Sequence, residues 1–193
     1  MDVKEAGVGR SLGLVADELS GAIDRVAAED PTALDRVADL VAESPRVFVL
    51  GAGRSGLALR MTAMRLMHLG LTVHVVGEAT TPAIAAGDLL LTASGSGTTA
   101  GIVRAASTAV EAGARVAAIT TDGSSPLGRL ANGAGVVVPA ADKLDRSGRA
   151  SAQYAGSLFE QAVVVIGDAL FHALWSRSDQ DADALWPRHA NLE

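Results

Sequence analysis

An α/β fold built on a five-stranded parallel sheet is what the sequence predicts, and three observations predict it. Apolar runs recur at Arg46 to Leu50, Thr72 to Val76, Leu89 to Ala93, Arg115 to Thr120 and Gly135 to Pro139, largely continuous, as in strands buried on both faces. Most are separated by segments with the three- and four-residue periodicity of helices, the right-handed crossovers that parallel strands require. Two of the runs open directly into loops of glycine and hydroxyl residues, at the carboxyl ends of strands where such sheets bind ligands.

Two helices precede any strand. From Ser11 to Ala28, Leu12, Val15, Leu19, Ile23 and Val26 form one apolar face, with Asp17, Glu18 and Arg25 elsewhere on the wheel. Asp30-Pro31 reads as N-cap and first residue of a second helix, with Leu34, Val37, Leu40 and Val41 as its buried stripe and Ser44-Pro45 at its end. Together these helices, about 8–44, form an extra layer or an oligomer arm on the single domain of residues 1–193.

After the first strand, a helix runs to about Leu69 and stops at Gly70. The connection from Glu78 to Gly87 is expected to hold a short helix from Pro82 to Ala86. A helix from Ala100 to Ala112 stops at Gly113, and Ser125 caps a short helix with Pro126 in first position. Ala140 to Ala150 reads as a mobile polar loop. The last helix, Gly156 to Ser176, is apolar round most of its circumference through Leu158, Phe159, Val163, Val165, Ile166, Leu170 and Leu174. Burial on several sides, and hence a homo-oligomer, is the expectation. A tail of about 179–193 follows.

Composition excludes several classes. The net charge of -6, with no run of Lys or Arg, argues against nucleic acid as the main partner. Without cysteine there is no disulfide, thiolate chemistry or cysteine-bound metal, which fits the cytoplasm. Asp2, Lys4 and Glu5 replace the apolar core of a signal peptide, and Gly167, Asp168 and His172 interrupt the longest apolar region, so no membrane span is expected.

The loop Ser94-Gly95-Ser96-Gly97-Thr98-Thr99 reads as a phosphate cradle. Glycines let backbone N–H groups approach an anion, hydroxyls add donors, and the following helix start supplies unpaired N–H groups and a positive dipole end. An ordinary turn needs one hydroxyl as a cap, and this loop has four. The other loop, Gly51-Ala52-Gly53-Arg54-Ser55-Gly56, fits the dinucleotide fingerprint by letter, with Glu78 in the acidic position 22 residues after Gly56. Fewer than 60 residues remain after the fifth strand for a substrate region, so a nucleotide cofactor is not expected.

Taken together, the two loops resemble the sugar isomerase (SIS) domain, which binds phosphorylated sugars. Further segments look like the 6-phospho-3-hexuloisomerases of that family: Met64-Arg65-Leu66-Met67-His68-Leu69-Gly70, Val76-Gly77-Glu78, Gly156-Ser157-Leu158-Phe159-Glu160-Gln161 and Arg188-His189-Ala190-Asn191-Leu192-Glu193. The similarity runs from about residue 10 to the end and departs at Tyr154-Ala155, where the family pattern has Pro-Met. It implies a cytoplasmic, homotetrameric isomerase interconverting D-arabino-hex-3-ulose 6-phosphate and D-fructose 6-phosphate through a 2,3-enediolate, in formaldehyde assimilation by the ribulose monophosphate pathway. Neither metal nor cofactor is implied, and the partner is a small sugar phosphate rather than nucleic acid or membrane. The alternatives are a non-catalytic sugar-phosphate sensor on the same cradle, or another sugar-phosphate isomerase.

By the same resemblance Glu160 is the catalytic base, although Ser157-Leu158-Phe159-Glu160 also spells a capping box in which its carboxylate would bond back to the helix start. His68 becomes a proton carrier or hydroxyl binder, in its own subunit or across a subunit interface; its other reading is a partly buried histidine in a last helical turn. The substrate- and phosphate-binding set is Gly51, Gly53, Arg54, Ser55, Glu78, Ser94, Ser96, Thr98 and Thr99. Arg54 and Glu78 read equally as solvated side chains. Asp168 and His172, four apart without a third ligand, read as a helix pair rather than a metal site. Lys143 reads as a solvated loop lysine, and His189 and Glu193 either close over a neighbour's site or lie in a flexible exposed tail.

Overall fold

The computed structural model describes residues 7–140 and 151–192. Five parallel strands, β1 (Val47–Gly51), β2 (Val73–Val75), β3 (Leu89–Ala93), β4 (Arg115–Thr120) and β5 (Gly135–Val137), lie in the order β2-β1-β3-β4-β5. The strand order reverses between β1 and β3, the switch point at which doubly wound sheets open a crevice. Gly51 is paired in register with Ala93, so the two glycine-bearing loops leave the sheet side by side.

Seven α-helices surround the sheet among the described residues: α1 (Val8–Glu29), α2 (Ala33–Glu43), α3 (Gly53–His68), α4 (Ala100–Glu111), α5 (Pro126–Leu130), α6 (Ser157–Ser176) and α7 (Ala182–Leu185). Side chains alternate across each strand. Val47, Val49, Leu89 and Leu91 therefore join the core under α1, α2, α3 and α6, while Phe48 and Leu90 join the core under α4 and α5. Each such Leu, Ile or Val contributes about 1.5–3 kcal/mol when fully buried.

α6 packs on α3, α1 and α2. It is long and apolar enough to cross a membrane, yet Leu158, Phe159, Val163, Ile166 and Leu170 are buried in the core. Burial on several sides is thus met within one chain, and the oligomer expected on that ground loses its support. The large apolar side chains left exposed include Leu57, Met61, Met64 and Met67 on α3 and Val8 and Leu12 in the first half of α1. α3 and α6 approach so closely that a Cβ on Gly167 would stand 2.0 Å from Thr62 Oγ1.

Three expectations are corrected. α2 starts at Ala33 rather than Pro31, because the Asp30 carboxylate accepts from the Thr32 N–H at 3.1 Å and pairs with Arg36 at 2.6 Å, closing a turn before the helix. Residues 82–86 form no helix. Their polar groups go elsewhere: Arg46 donates to the Ala83 carbonyl at 3.3 Å and Ala85 N–H donates to Asp88 at 2.7 Å. The tail is folded, with α7 and a 3-10 turn over Trp186–Arg188. Lys143, most of the loop expected at Ala140 to Ala150, and Glu193 lie outside the described residues.

Asp88 ties the start of β3 to β1. Its carboxylate, 2% exposed, accepts from Arg46 Nε at 3.0 Å and Nη2 at 2.6 Å. Burial pushes its pKa up, but Arg46 and the Ala85 N–H outweigh that and hold it below the ordinary value. A depressed carboxyl stabilises fully above its unfolded pKa and loses that contribution as pH falls through the folded one. Asp88→Asn is therefore expected to cost about 2–4 kcal/mol in urea unfolding at pH 7, less than a fully buried pair because Arg46 is partly exposed. The gap from wild type should narrow below about pH 4.

Candidate active site

The turn from β1 into α3 is shaped by absent side chains. A Cβ on Gly51 would sit 2.8 Å from Gly56 N, one on Gly56 would sit 2.5 Å from the Gly51 oxygen, and Gly53 has φ +56. The fingerprint-like spacing is thus a requirement of strand and helix meeting at close range. The acidic residue that the dinucleotide reading would give to a ribose, Glu78, is engaged by Arg60.

The second loop is held from behind by the corner between β4 and α5. Gly95 O accepts from the Thr121 N–H at 2.9 Å, the Thr121 hydroxyl at 2.8 Å and the Thr120 hydroxyl at 3.1 Å, and Gly97 O accepts from the Leu127 N–H at 3.0 Å. Gly97 has φ +60, and a Cβ there would lie 2.0 Å from Ser125 Oγ. Thr99 stands at the N-cap of α4 without capping it; its hydroxyl lies 3.1 Å from Ser94 Oγ. The hydroxyl excess is therefore not consumed by the helix start.

Between the two loops and the start of α6 lies a cavity of about 140 Å³, lined by Ser55, Ser94, Ser96 and Thr99 on one side and Gly156, Phe159 and Glu160 on the other. Glu160 does not form the capping box. α6 begins at Ser157, whose hydroxyl accepts from Arg54 Nη1 at 3.1 Å, and the same Nη1 lies 3.1 Å from Glu160 Oε2. The carboxylate is 22% exposed and the guanidinium 60%. The arrangement offers an acceptor-only group at the wall of a cavity whose opposite wall is rich in donors.

Other expected site residues stand apart. Thr98 binds Ser96 at 3.0 Å and does not line the cavity. Glu78 is outside it, exposed on Arg60. His68 ends α3, roughly 20 Å along the helix from Arg54 at 1.5 Å per residue. There it is 4% exposed, and its ring stacks on His189 at 4.0 Å while Arg188 donates to its carbonyl at 3.1 Å. Burial, with His189 and Arg65 beside it, pushes its pKa below the usual imidazole value. His189 is thus packed against its own chain rather than free. Asp168 is exposed on α6, and His172 meets Trp175 edge-on. Sequence reasoning overlooked the Gly95 carbonyl as the loop's anchor; its only signal was the paired Thr120-Thr121 at the end of β4.

The SIS domain family matches residues 40–143, which hold all five strands and both loops. The chain belongs to the SIS domain family. Over nearly its whole length the chain is similar to the 3-hexulose-6-phosphate isomerase of Mycobacterium gastri, 57% identical over 183 residues, 95% of this chain and 90% of that one. The 3-hexulose-6-phosphate isomerase of Bacillus subtilis is 39% identical over 82% of this chain and 86% of its own length. A Methanococcus jannaschii protein, whose crystal structure infers a 3-hexulose-6-phosphate isomerase function, superimposes with a TM-score of 0.76 at 28% identity, covering 95% of this chain and 99% of that one. The SIS match stops before α6, so Glu160 is covered only by the whole-chain relatives. Because Gly97 has neither room nor backbone freedom for a side chain, Gly97→Ala is expected to weaken sugar-phosphate binding at least about tenfold, roughly 1.4 kcal/mol by calorimetric titration, and to lower the melting temperature.

Proposed function

We propose that the chain interconverts D-arabino-hex-3-ulose 6-phosphate and D-fructose 6-phosphate. One observation carries this reading. The Glu160 carboxylate, paired with Arg54, faces the Ser94–Thr99 loop across a cavity of about 140 Å³, in a chain 57% identical to a 3-hexulose-6-phosphate isomerase.

The substrate phosphate is bound by the hydroxyls and N–H groups of the loop and by the start of α4. With the phosphate held there, the carbons about to react lie on the Glu160 side. Glu160 takes the proton from C2 of the 3-ketose, and the C2–H electron pair forms the C2–C3 double bond of an enediolate. Collapse toward a carbonyl at C2 then draws the proton back onto C3, and one proton passes from the C2 oxygen to the C3 oxygen. Arg54 aims the carboxylate in the free protein and stabilises negative charge as it moves to oxygen. A positioned base of this kind contributes about 10²–10⁴ in rate. The family resemblance extends the reading to a cytoplasmic homotetramer; His68, roughly 20 Å along α3 from Arg54, takes no step in the scheme within one chain.

Purified protein given the 3-ketose phosphate in deuterated water should yield fructose 6-phosphate carrying deuterium at C3. Tight binding with neither product nor exchange would make the chain a sugar-phosphate sensor. Glu160→Gln should retain binding and lose about 10²–10⁴ in turnover; unchanged turnover would remove Glu160 from the chemistry.

A further inference from the structure

Glu18, half-way along α1, takes part in a chain of hydrogen bonds that ends beside the catalytic carboxylate. Its Oε1 accepts from the Ala152 N–H at 2.7 Å, and its Oε2 accepts from the Ser151 hydroxyl at 2.7 Å and from Gln153 Nε2 at 3.0 Å. Gln153 Oε1 in turn accepts from Gln161 Nε2 at 2.8 Å. Gln161 is the residue after Glu160. An ionised carboxylate donates nothing, so it fixes the direction of the whole chain: Gln153 must present its NH₂ to Glu18 and its oxygen to Gln161.

The segment held in this way is strained. Ala155 has φ +51, in the left-handed region where a Cβ crowds the following carbonyl, and the next residue, Gly156, lines the cavity. A residue keeps such a conformation only where its surroundings over-determine it. Three hydrogen bonds to Glu18 on residues 151–153 do so, with Ser157 N–H donating to the Tyr154 carbonyl at 3.2 Å on the other side. Burial pushes the Glu18 carboxyl's pKa up, but the bonds from Ala152, Ser151 and Gln153 outweigh it and hold the group below its ordinary value. The clamp is thus charged at neutral pH, and charge-assisted bonds are the stronger kind.

We propose that Glu18 is a positioning residue for Glu160: by clamping the 151–155 turn to α1 it fixes the first turn of α6 and with it the aim of the catalytic carboxylate. This rests on the reading of Glu160 as base. It gives the N-terminal helix, which lies outside the matched SIS residues 40–143, a part in the active site without touching substrate.

Glu18→Ala in the full chain is the test, since alanine keeps α1 helical and removes only the acceptor. Turnover should fall about tenfold to a hundredfold, the scale of a small misplacement of a catalytic group, while KM stays within twofold. Amide exchange at residues 151–157 should accelerate. Glu18→Gln, which keeps one acceptor oxygen, should lie between alanine and wild type. Unchanged kcat, or a rise in KM with kcat intact, would overturn the proposal. If the wild-type chain itself does not turn over, the isomerase reading falls alone. The clamp is then judged by exchange at 151–157 and by the carbon-13 resonance of the Glu160 carboxyl, both of which Glu18→Ala must move; either one unmoved overturns it.

Discussion

The close approach of α3 to its two neighbours is the constraint on which the rest of this structure depends. At its start, α3 meets β1 through Gly51 and Gly56, where a Cβ on Gly56 would come within 2.5 Å of the Gly51 oxygen. In its middle it meets α6 through Thr62 and Gly167. The first contact sets Arg54 at the carboxyl edge of the sheet. The second sets α6 at a fixed height against α3, so that Glu160 arrives at Arg54. A side chain added at Gly51 or Gly56 would meet backbone at 2.8 or 2.5 Å and force β1 and α3 apart, and the Arg54–Glu160 pair at 3.1 Å depends on that spacing.

The active site is assembled from parts of different reach in sequence. Both loops belong to the span that matches the SIS family, residues 40–143, and they need only the local geometry of a strand turning into a helix. Glu160 comes from beyond that span, and the turn before its helix is bonded to Glu18 of α1, at the opposite end of the chain. The hydroxyl-lined wall of the cavity is a property of the sheet, whereas its carboxylate wall is a property of how the flanking helices are tied to it. The family likeness and the whole-chain likeness therefore cover different walls of the cavity.

Much of the fold was legible because its signals are local. Continuous apolar runs marked all five strands, and Gly70, Gly113 and Ser125-Pro126 marked helix ends that the structure places within a residue or two. The connection at 82–86 was not legible, because its backbone bonds go to Arg46 and Asp88, and Asp88's partnership with Arg46 spans 42 residues. In the site, the hydroxyl loop declared itself by composition. The placement of Glu160 did not, since a capping box and a cavity-facing carboxylate use the same four letters, and the Arg54 that pairs with it is brought in by α3. His68 shows the opposite case: a motif residue whose neighbours, His189 and Arg188, lie at the far end of the chain.

The bonds that hold the Gly95 and Gly97 carbonyls have one more consequence. Because Thr120, Thr121 and Leu127 hold this loop by its own carbonyls, little backbone freedom is left to lose when an anion arrives. Association then pays mainly for the sugar's own freedom and for water stripped from the phosphate. A loop so restrained is already shaped for an anion, and the affinity it gives comes from freedom it does not have to lose.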